Sequence, residues 1–333
     1  MKRSVVRFVP RRLVIAIGTL LFITPLAASA QPQGNQVPRI GVLTFTLTTS
    51  AFQQGFRQGL REHGYVEGQN IIVEWRSAAG RIDRANTLAM ELVRLKVGVI
   101  VAEFTPAVQA AKNATQTIPI VMAPAGDPVA TGIVLSFARP GGNITGFTNM
   151  AAELSGKRLE LVRELLPSLA RVGLLIQGQG TDAWEKAFVE ENRAAAATAR
   201  IQLNVERVAR PDDLEAAFSA IVKARAGAAV LSGNLPVPIR RVAELALRYH
   251  LPSMSHLNDF ADSGGLMSYG ANLTEIQRRA AGQVARILKG ANVGDLPVER
   301  PTAFELVLNR KTAAILGIQF PASLLLRADR VIE

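Results

Sequence analysis

Along this chain, short continuous apolar runs alternate with longer segments whose apolar residues recur every three or four positions. In the first half the runs at residues 39–45, 70–75, 97–102 and 118–122 read as strands. Residues 97–102 are continuously apolar and β-branched, as in parallel strands buried on both faces. Between these runs, Phe52, Phe56, Leu60 and His63 mark one helical face that opens at Ser50, with Gln53 in capping-box position. Leu88, Leu92 and Leu95 mark a second face over residues 82–95, Pro106 opens a short helix, and Asp127-Pro128 is expected to start another that runs to Pro140.

The second half repeats the rhythm. Helices are expected at 154–166, 182–199, 211–226 and 238–249, with strands at 171–176, 201–208, 228–231 and 251–255. Strand–helix alternation of this length means right-handed βαβ units and parallel sheets. Two such series in tandem predict an α/β chain of two doubly wound lobes. Between them lies Ala138-Arg139-Pro140-Gly141-Gly142-Asn143-Ile144-Thr145-Gly146-Phe147-Thr148-Asn149, in which proline and paired glycines precede one short extended crossing. Glycine-bracketed residues 265–270 and Pro-bearing residues 294–301 are read as two further crossings, flanking a helix at 273–288; a strand at 304–308 and a helix at 311–316 follow. On this reading residues 38–146 and 268–293 form one lobe, and 147–267 and 294–333 the other. Thr145, Gly146, Met267, Ser268 and Pro301 are the hinge positions.

Length supports the same division, since 333 residues suggest about two domains. The first thirty residues stand apart from it. Lys2, Arg3, Arg7, Arg11 and Arg12 precede an apolar stretch at 13–26, and Ala28-Ser29-Ala30 is a small-residue cleavage site: a secretory signal peptide. There is no cysteine for lipid attachment, disulfides or thiolate chemistry, so a soluble, exported, periplasmic protein is expected. The formal charge of +11 falls to +6 once the five basic residues of that segment are removed. What remains is scattered, and aromatic residues make up only 5% of the chain, so no basic–aromatic nucleic-acid surface is expected.

In open parallel sheets ligands bind beyond the carboxyl ends of strands. That rule selects the loops at 45–50, 103–106, 124–128, 177–182, 232–236 and 255–259. Thr46, Thr48, Thr49 and Ser50 place hydroxyls at a helix N-terminus, which suits a ligand carboxylate or a well-capped helix. These loops contain Glu103, Asp127, Asp182 and Asp259 but no Lys or Arg, so a neutral, zwitterionic or cationic ligand fits and a polyanion does not. Glu103 is read either as the receptor of a ligand ammonium or as one half of a surface salt bridge. Phe45, Phe104 and Tyr269 are wall or core aromatics; Asp127 is a ligand contact or an N-cap; Thr105, Gly126, Gln177, Gly178, Asn234 and His256 complete the candidate contacts. Gly178-Gln179-Gly180-Thr181-Asp182-Ala183, with Glu206 after it, also fits the dinucleotide pattern, which makes an exported NAD(P)-dependent oxidoreductase the competing reading. No nucleophile elbow, P-loop or zincin motif occurs, and no acid–base pair or metal site is assigned.

Several stretches together resemble a known family. They include Phe56-Arg57-Gln58-Gly59-Leu60-Arg61-Glu62, Gly64-Tyr65-Val66-Glu67-Gly68-Gln69-Asn70, Ile118-Pro119-Ile120-Val121 and Gly126-Asp127-Pro128-Val129. Leu154-Ser155-Gly156-Lys157-Arg158-Leu159-Glu160-Leu161, Gly264-Gly265-Leu266-Met267-Ser268-Tyr269-Gly270, Leu288-Lys289-Gly290-Ala291 and Leu296-Pro297-Val298-Glu299 complete the match, as does the central stretch from Ala138 to Gly146. With these the chain resembles ABC-transporter substrate-binding proteins of the type I periplasmic binding protein fold, the family that includes aromatic-amino-acid binders. The resemblance implies two Rossmann-like lobes joined by three crossings, a monomer that closes on a small organic, amino-acid-like ligand without a cofactor and docks on a membrane permease. A ligand-sensing module shares this fold. The resemblance carries over Gly126, Asp127 and the 46–50 loop as groove positions. The chain departs from the family at Gln177-Gly178-Gln179-Gly180, Glu103 and Ser255-His256-Leu257, where ligand choice would be made.

Overall fold

The structure, a computed structural model, describes residues 37–46, 50–180 and 182–333, so the expected signal segment lies outside the described residues. The first sheet is wholly parallel, in the order β2-β1-β3-β4-β5: β1 (Arg39–Thr44), β2 (Ile72–Ser77), β3 (Val99–Ala102), β4 (Ile120–Ala125) and β5 (Ile144–Thr148). Side chains alternate across this sheet. Ile40, Val42, Val99, Val101 and Val121 pack under α1 (Ser50–Glu62), whereas Leu43, Ile100, Ile120 and Met122 pack under α2 (Ile82–Arg94) and α3 (Phe104–Ala114). Burial on both faces is why these strands read as unbroken apolar runs.

The second sheet has the order β12-β11-β10-β9-β8-β6-β7. Its strands are β6 (Arg171–Gln177), β7 (Gln202–Val208), β8 (Ala228–Leu231), β9 (Ser253–Ser255), β10 (Met267–Ala271), β11 (Phe304–Asn309) and β12 (Arg330–Ile332). Only the β10–β11 pair is antiparallel. The helices that accompany it are α4 (Ser155–Leu165), α5 (Ala183–Thr198), α6 (Asp213–Lys223), α7 (Ile239–Arg248) and the short α8 (Asn258–Asp262). After β10 the chain returns to the first sheet as α9 (Leu273–Leu288), which packs along α1. It closes with α10 (Arg310–Ile315) and α11 (Ala322–Arg327). The pattern did not announce α8, α11 or β12, each six residues or fewer, too short to establish a period.

Two expectations are corrected. The helix expected from Asp127 is absent. The Asp127 carboxylate instead accepts from the amides of Val129 and Ala130 at 3.1 and 3.0 Å, and Lys112 Nζ binds the Gly132 carbonyl at 2.6 Å, so a single turn is followed by irregular chain. The hinge positions also shift. Thr145 and Gly146 lie inside β5, and Met267 and Ser268 inside β10, so Phe147 and Thr148 belong to the first sheet and residues 268–271 to the second. Gly146 is needed for packing: at φ +128° a Cβ there would stand 2.3 Å from Met122 N in the next strand.

The chain leaves the first sheet at Asn149 and the second at Asn272, and makes its last passage through Pro301 on the way to β11. Residues 296–299 run beside β5: Thr148 N donates to Glu299 O at 3.0 Å, Glu299 N to Gly146 O at 2.8 Å, and Thr145 Oγ1 to Leu296 O at 2.8 Å. Glu305, just past the last passage, is tied to the second one and to α8, its two carboxylate oxygens each accepting at 2.6 Å, one from Asn272 Nδ2 and one from Asn258 Nδ2.

The α1–α9 seam depends on absent side chains. A Cβ on Gly59 would stand 2.1 Å from the Arg278 carbonyl oxygen, and one on Gly55 2.7 Å from that of Thr274. Gly59→Ala is therefore expected to cost about 1–3 kcal/mol in urea unfolding. Gly156→Ala, in α4 with open space around it, should be neutral or stabilising by up to about 1 kcal/mol. Equal effects at the two positions would contradict this packing.

Candidate functional site

The carboxyl ends of β1, β3 and β4 face those of β6, β8 and β9, and the loops they carry line three neighbouring spaces between the lobes that share wall residues. The central one is a cavity of about 10 Å³ walled by Phe104, Thr105, Gly126, Asn149, Ala151, Trp184, Asn234 and His256. On one side lies an outer mouth of about 310 Å³, which shares Thr105 and Trp184 with it and adds Asn86, Pro106, Gln109, Gln177 and Asp182. On the other side an acidic chamber of about 470 Å³ shares Phe104 and adds Thr46, Glu103, Asn258, Asp259, Asn272 and Glu305.

The lobes touch through polar and glycine contacts. Gln177 Nε2 at the end of β6 donates to the Gly80 carbonyl at 3.2 Å, and Asn234 Nδ2 donates to Gln177 Oε1 at 3.1 Å. Gly80, at φ +79°, lies so close to Pro236 that a Cβ would be 2.5 Å from its Cα. A Cβ on Gly126 would likewise come 2.6 Å from Trp184 Nε1. Trp184 stacks on Phe188 at 5.4 Å between ring centroids, and Phe188 in turn packs against the His256 ring at 6.2 Å.

Glu103 ends β3 and is buried. Among the described residues it has no basic partner, which removes the salt-bridge reading; its Oε2 accepts from Thr46 Oγ1 at 3.2 Å. Burial pushes its carboxyl up from 4.5 to about 8, with Asp259 reinforcing the shift and the Thr46 hydroxyl opposing it. Asp259 itself is raised, by burial first and by Asp262 next. Among the described residues the chamber's one basic group, Arg330, is committed to Asp262 at 2.8 Å. Phe104, which begins α3, holds φ +64°, a conformation that costs a non-glycine residue of order 1–3 kcal/mol.

The other candidates divide. Thr105 Oγ1 accepts from Gly126 N at 3.0 Å within the groove. Phe45 is instead sealed in the first lobe's core, and Asp127 is spent on its own turn. Tyr269 packs on Phe304 at 6.2 Å, in the second lobe and away from the three spaces. Thr48 and Thr49 lie outside the described residues; Ser50 begins α1. Gly178 serves a carboxylate: a Cβ there would lie 2.1 Å from Glu185 Oε2, which accepts from Gly180 N at 2.6 Å. Glu185 is buried and paired with Arg207 at 2.5 Å, so a negative charge occupies the place a dinucleotide's pyrophosphate would need. The competing oxidoreductase reading fails there.

Pattern reading missed Trp184, which stands two residues after Asp182 in the first turn of α5 and is one of two tryptophans in the chain. It also missed Arg158 on α4. This guanidinium is fully buried and bound to Ser155 Oγ at 3.1 Å and to the Ala151 carbonyl, and burial lowers it to about 10. It holds the chain just beyond the first passage between the lobes. Among the described residues no helix is long and apolar enough to cross a membrane, and no cluster of His, Asp and Glu is arranged to hold a metal ion.

Residues 40–332 match the family model described as ABC transporter substrate binding protein, and that family consists of binding proteins, not enzymes. A tyrosine-binding protein of Clostridioides difficile is 28% identical over 270 residues, 80% of this chain and 76% of its own length. A conserved domain protein from Vibrio cholerae superposes with a TM-score of 0.83 at 27% identity, covering 89% of this chain and all of that one. An ABC domain from Streptococcus pneumonia, in complex with L-Trp, superposes at 0.81 with 25% identity and the same coverage. The two lobes are those of the type I periplasmic binding protein fold.

The raised carboxyl of Glu103 has a measurable consequence. Between pH 4.5 and 8 it is protonated in the folded chain and ionised in the unfolded one, so its contribution to stability is full below 4.5 and lost as pH climbs to about 8. Glu103→Gln, neutral at every pH, should therefore gain in melting temperature relative to the unsubstituted protein between pH 5 and 8. A constant difference would contradict the burial of this group.

Proposed function

We propose that this chain, which belongs to the ABC transporter substrate binding protein family, is the periplasmic receptor of an importer and clamps one aromatic amino acid between its lobes. The observation that carries the reading is the pair of carboxyl groups, Glu103 from the first lobe and Asp259 from the second, facing one chamber with no free cation beside them among the described residues. A ligand ammonium placed there compensates the charge that Glu103 takes on as it ionises beside Asp259, and draws the lobes together. Phe104 and Trp184 supply aromatic walls next to it. The tyrosine-binding and L-Trp-bound relatives support the same ligand class. The receptor works as a monomer, needs no cofactor, and hands its ligand to a membrane permease.

A panel of amino acids, amines, sugars and nicotinamide cofactors, screened by thermal stability on protein unfolded and refolded to strip ligand, tests this. The true ligand should add about 2.7 kcal/mol at 100 times its dissociation constant. Stabilisation by sugars or nicotinamide cofactors alone would overturn the reading. Because the ammonium needs Glu103 ionised, binding releases a proton below pH 8 and should tighten from pH 6 to 8. Glu103→Gln should bind more weakly and lose that pH dependence; unchanged affinity would refute the role given to Glu103.

A further inference from the structure

The floor of the groove holds two buried polar atoms without partners among the described residues: Asn234 Oδ1 and His256 Nδ1. Both residues wall the central cavity, and they are only 3% and 5% exposed. Buried groups of this kind are rarely left unpaired, since each costs about 1–3 kcal/mol.

Their hydrogen-bonding sense can be read from their neighbours. A backbone carbonyl only accepts, so the Gly80 carbonyl fixes Gln177 with Nε2 toward it and Oε1 toward Asn234. That oxygen in turn takes Asn234 Nδ2, which leaves Oδ1 as the unpaired acceptor of a residue that walls the cavity. His256 is neutral, burial and nearby Arg158 holding its pKa down to about 3. Its Nε2 faces the segment after β8, 2.9 Å from where a Cβ on Gly233 would stand, and the nearby Leu231 carbonyl favours an N–H there; with Nδ1 unpartnered, we assign the proton to Nε2 and the acceptor role to Nδ1. Among the described residues none of the cavity's walls carries a charge, and its volume of about 10 Å³ admits one water-sized group, never a whole ligand.

We infer that this cavity is a tip-reading subsite in which Asn234 Oδ1 and His256 Nδ1 receive a neutral hydrogen-bond donor carried at the far end of the ligand side chain, a phenol O–H or a ring N–H. The inference rests on the aromatic-amino-acid reading above. Phe104 walls both this cavity and the acidic chamber, so one ligand can present its ammonium to Glu103 and its tip to the floor. Selectivity among aromatic amino acids then resides in Asn234 and His256, because a ligand without the donor leaves both acceptors buried and unpaired.

The matched pair of L-tyrosine and L-phenylalanine, which differ by one hydroxyl, tests this by calorimetry on the refolded protein. L-Tyrosine should bind about 10- to 100-fold more tightly. Asn234→Leu should bring that ratio towards one, whereas Asn234→Asp, which keeps an acceptor oxygen, should retain it; melting curves establish that each variant is folded. Glu103→Gln should weaken both ligands alike and leave the ratio intact. Equal binding of the two by the unsubstituted protein, or a ratio unmoved in folded Asn234→Leu, overturns the donor subsite alone. Binding of none of L-tyrosine, L-phenylalanine and L-tryptophan overturns the aromatic-amino-acid reading and the subsite with it.

Discussion

One backbone carbonyl orients the seam between the lobes. Gly80 O, in the first lobe, takes the Gln177 amide of the second, and Gln177 takes that of Asn234. The sense of both side-chain amides follows from that single acceptor. Gly80 can stand there only because it has no Cβ to meet Pro236. The relay both holds the lobes in register and decides which atoms the groove offers.

Around that seam the charges are distributed unevenly. The acidic chamber carries Glu103, Asp259 and Glu305, with Arg330 held by Asp262. The central cavity carries no charged wall, and its one titratable group, His256, is kept neutral by burial. A zwitterionic ligand with an uncharged polar tip satisfies both regions. A polyanion satisfies neither, since the glycine loop after β6 already surrounds the Glu185 carboxylate.

Much of the fold was legible from hydrophobic period alone, because strands buried on both faces leave continuous apolar runs and α9 carries a clean helical stripe at the residues expected. The three passages between lobes were legible in number, but not to the residue. Gly146 reads as a hinge glycine but sits in a strand because β4 approaches it closely, and proximity of that kind has no local signature. The site was legible in the same measure. Strand-end loops pointed to Glu103, Thr105, Gln177, Asn234 and His256, but charge pattern could not show that Glu103 is buried and without a cation. Trp184 and Arg158 escaped because they stand on helices, and their roles come from what the other elements bring to them.

The central claim is that ligand enters the seam between the lobes and is gripped from both. Trp184 lies on that seam against Gly126, and Trp75 is the only other tryptophan. In a Trp75→Phe background, emission excited at 295 nm reports on Trp184 alone. The account predicts a saturable change in that emission on titration with L-tyrosine, with a midpoint equal to the calorimetric dissociation constant. Saturable binding that leaves Trp184 emission unmoved would place the ligand elsewhere and contradict it.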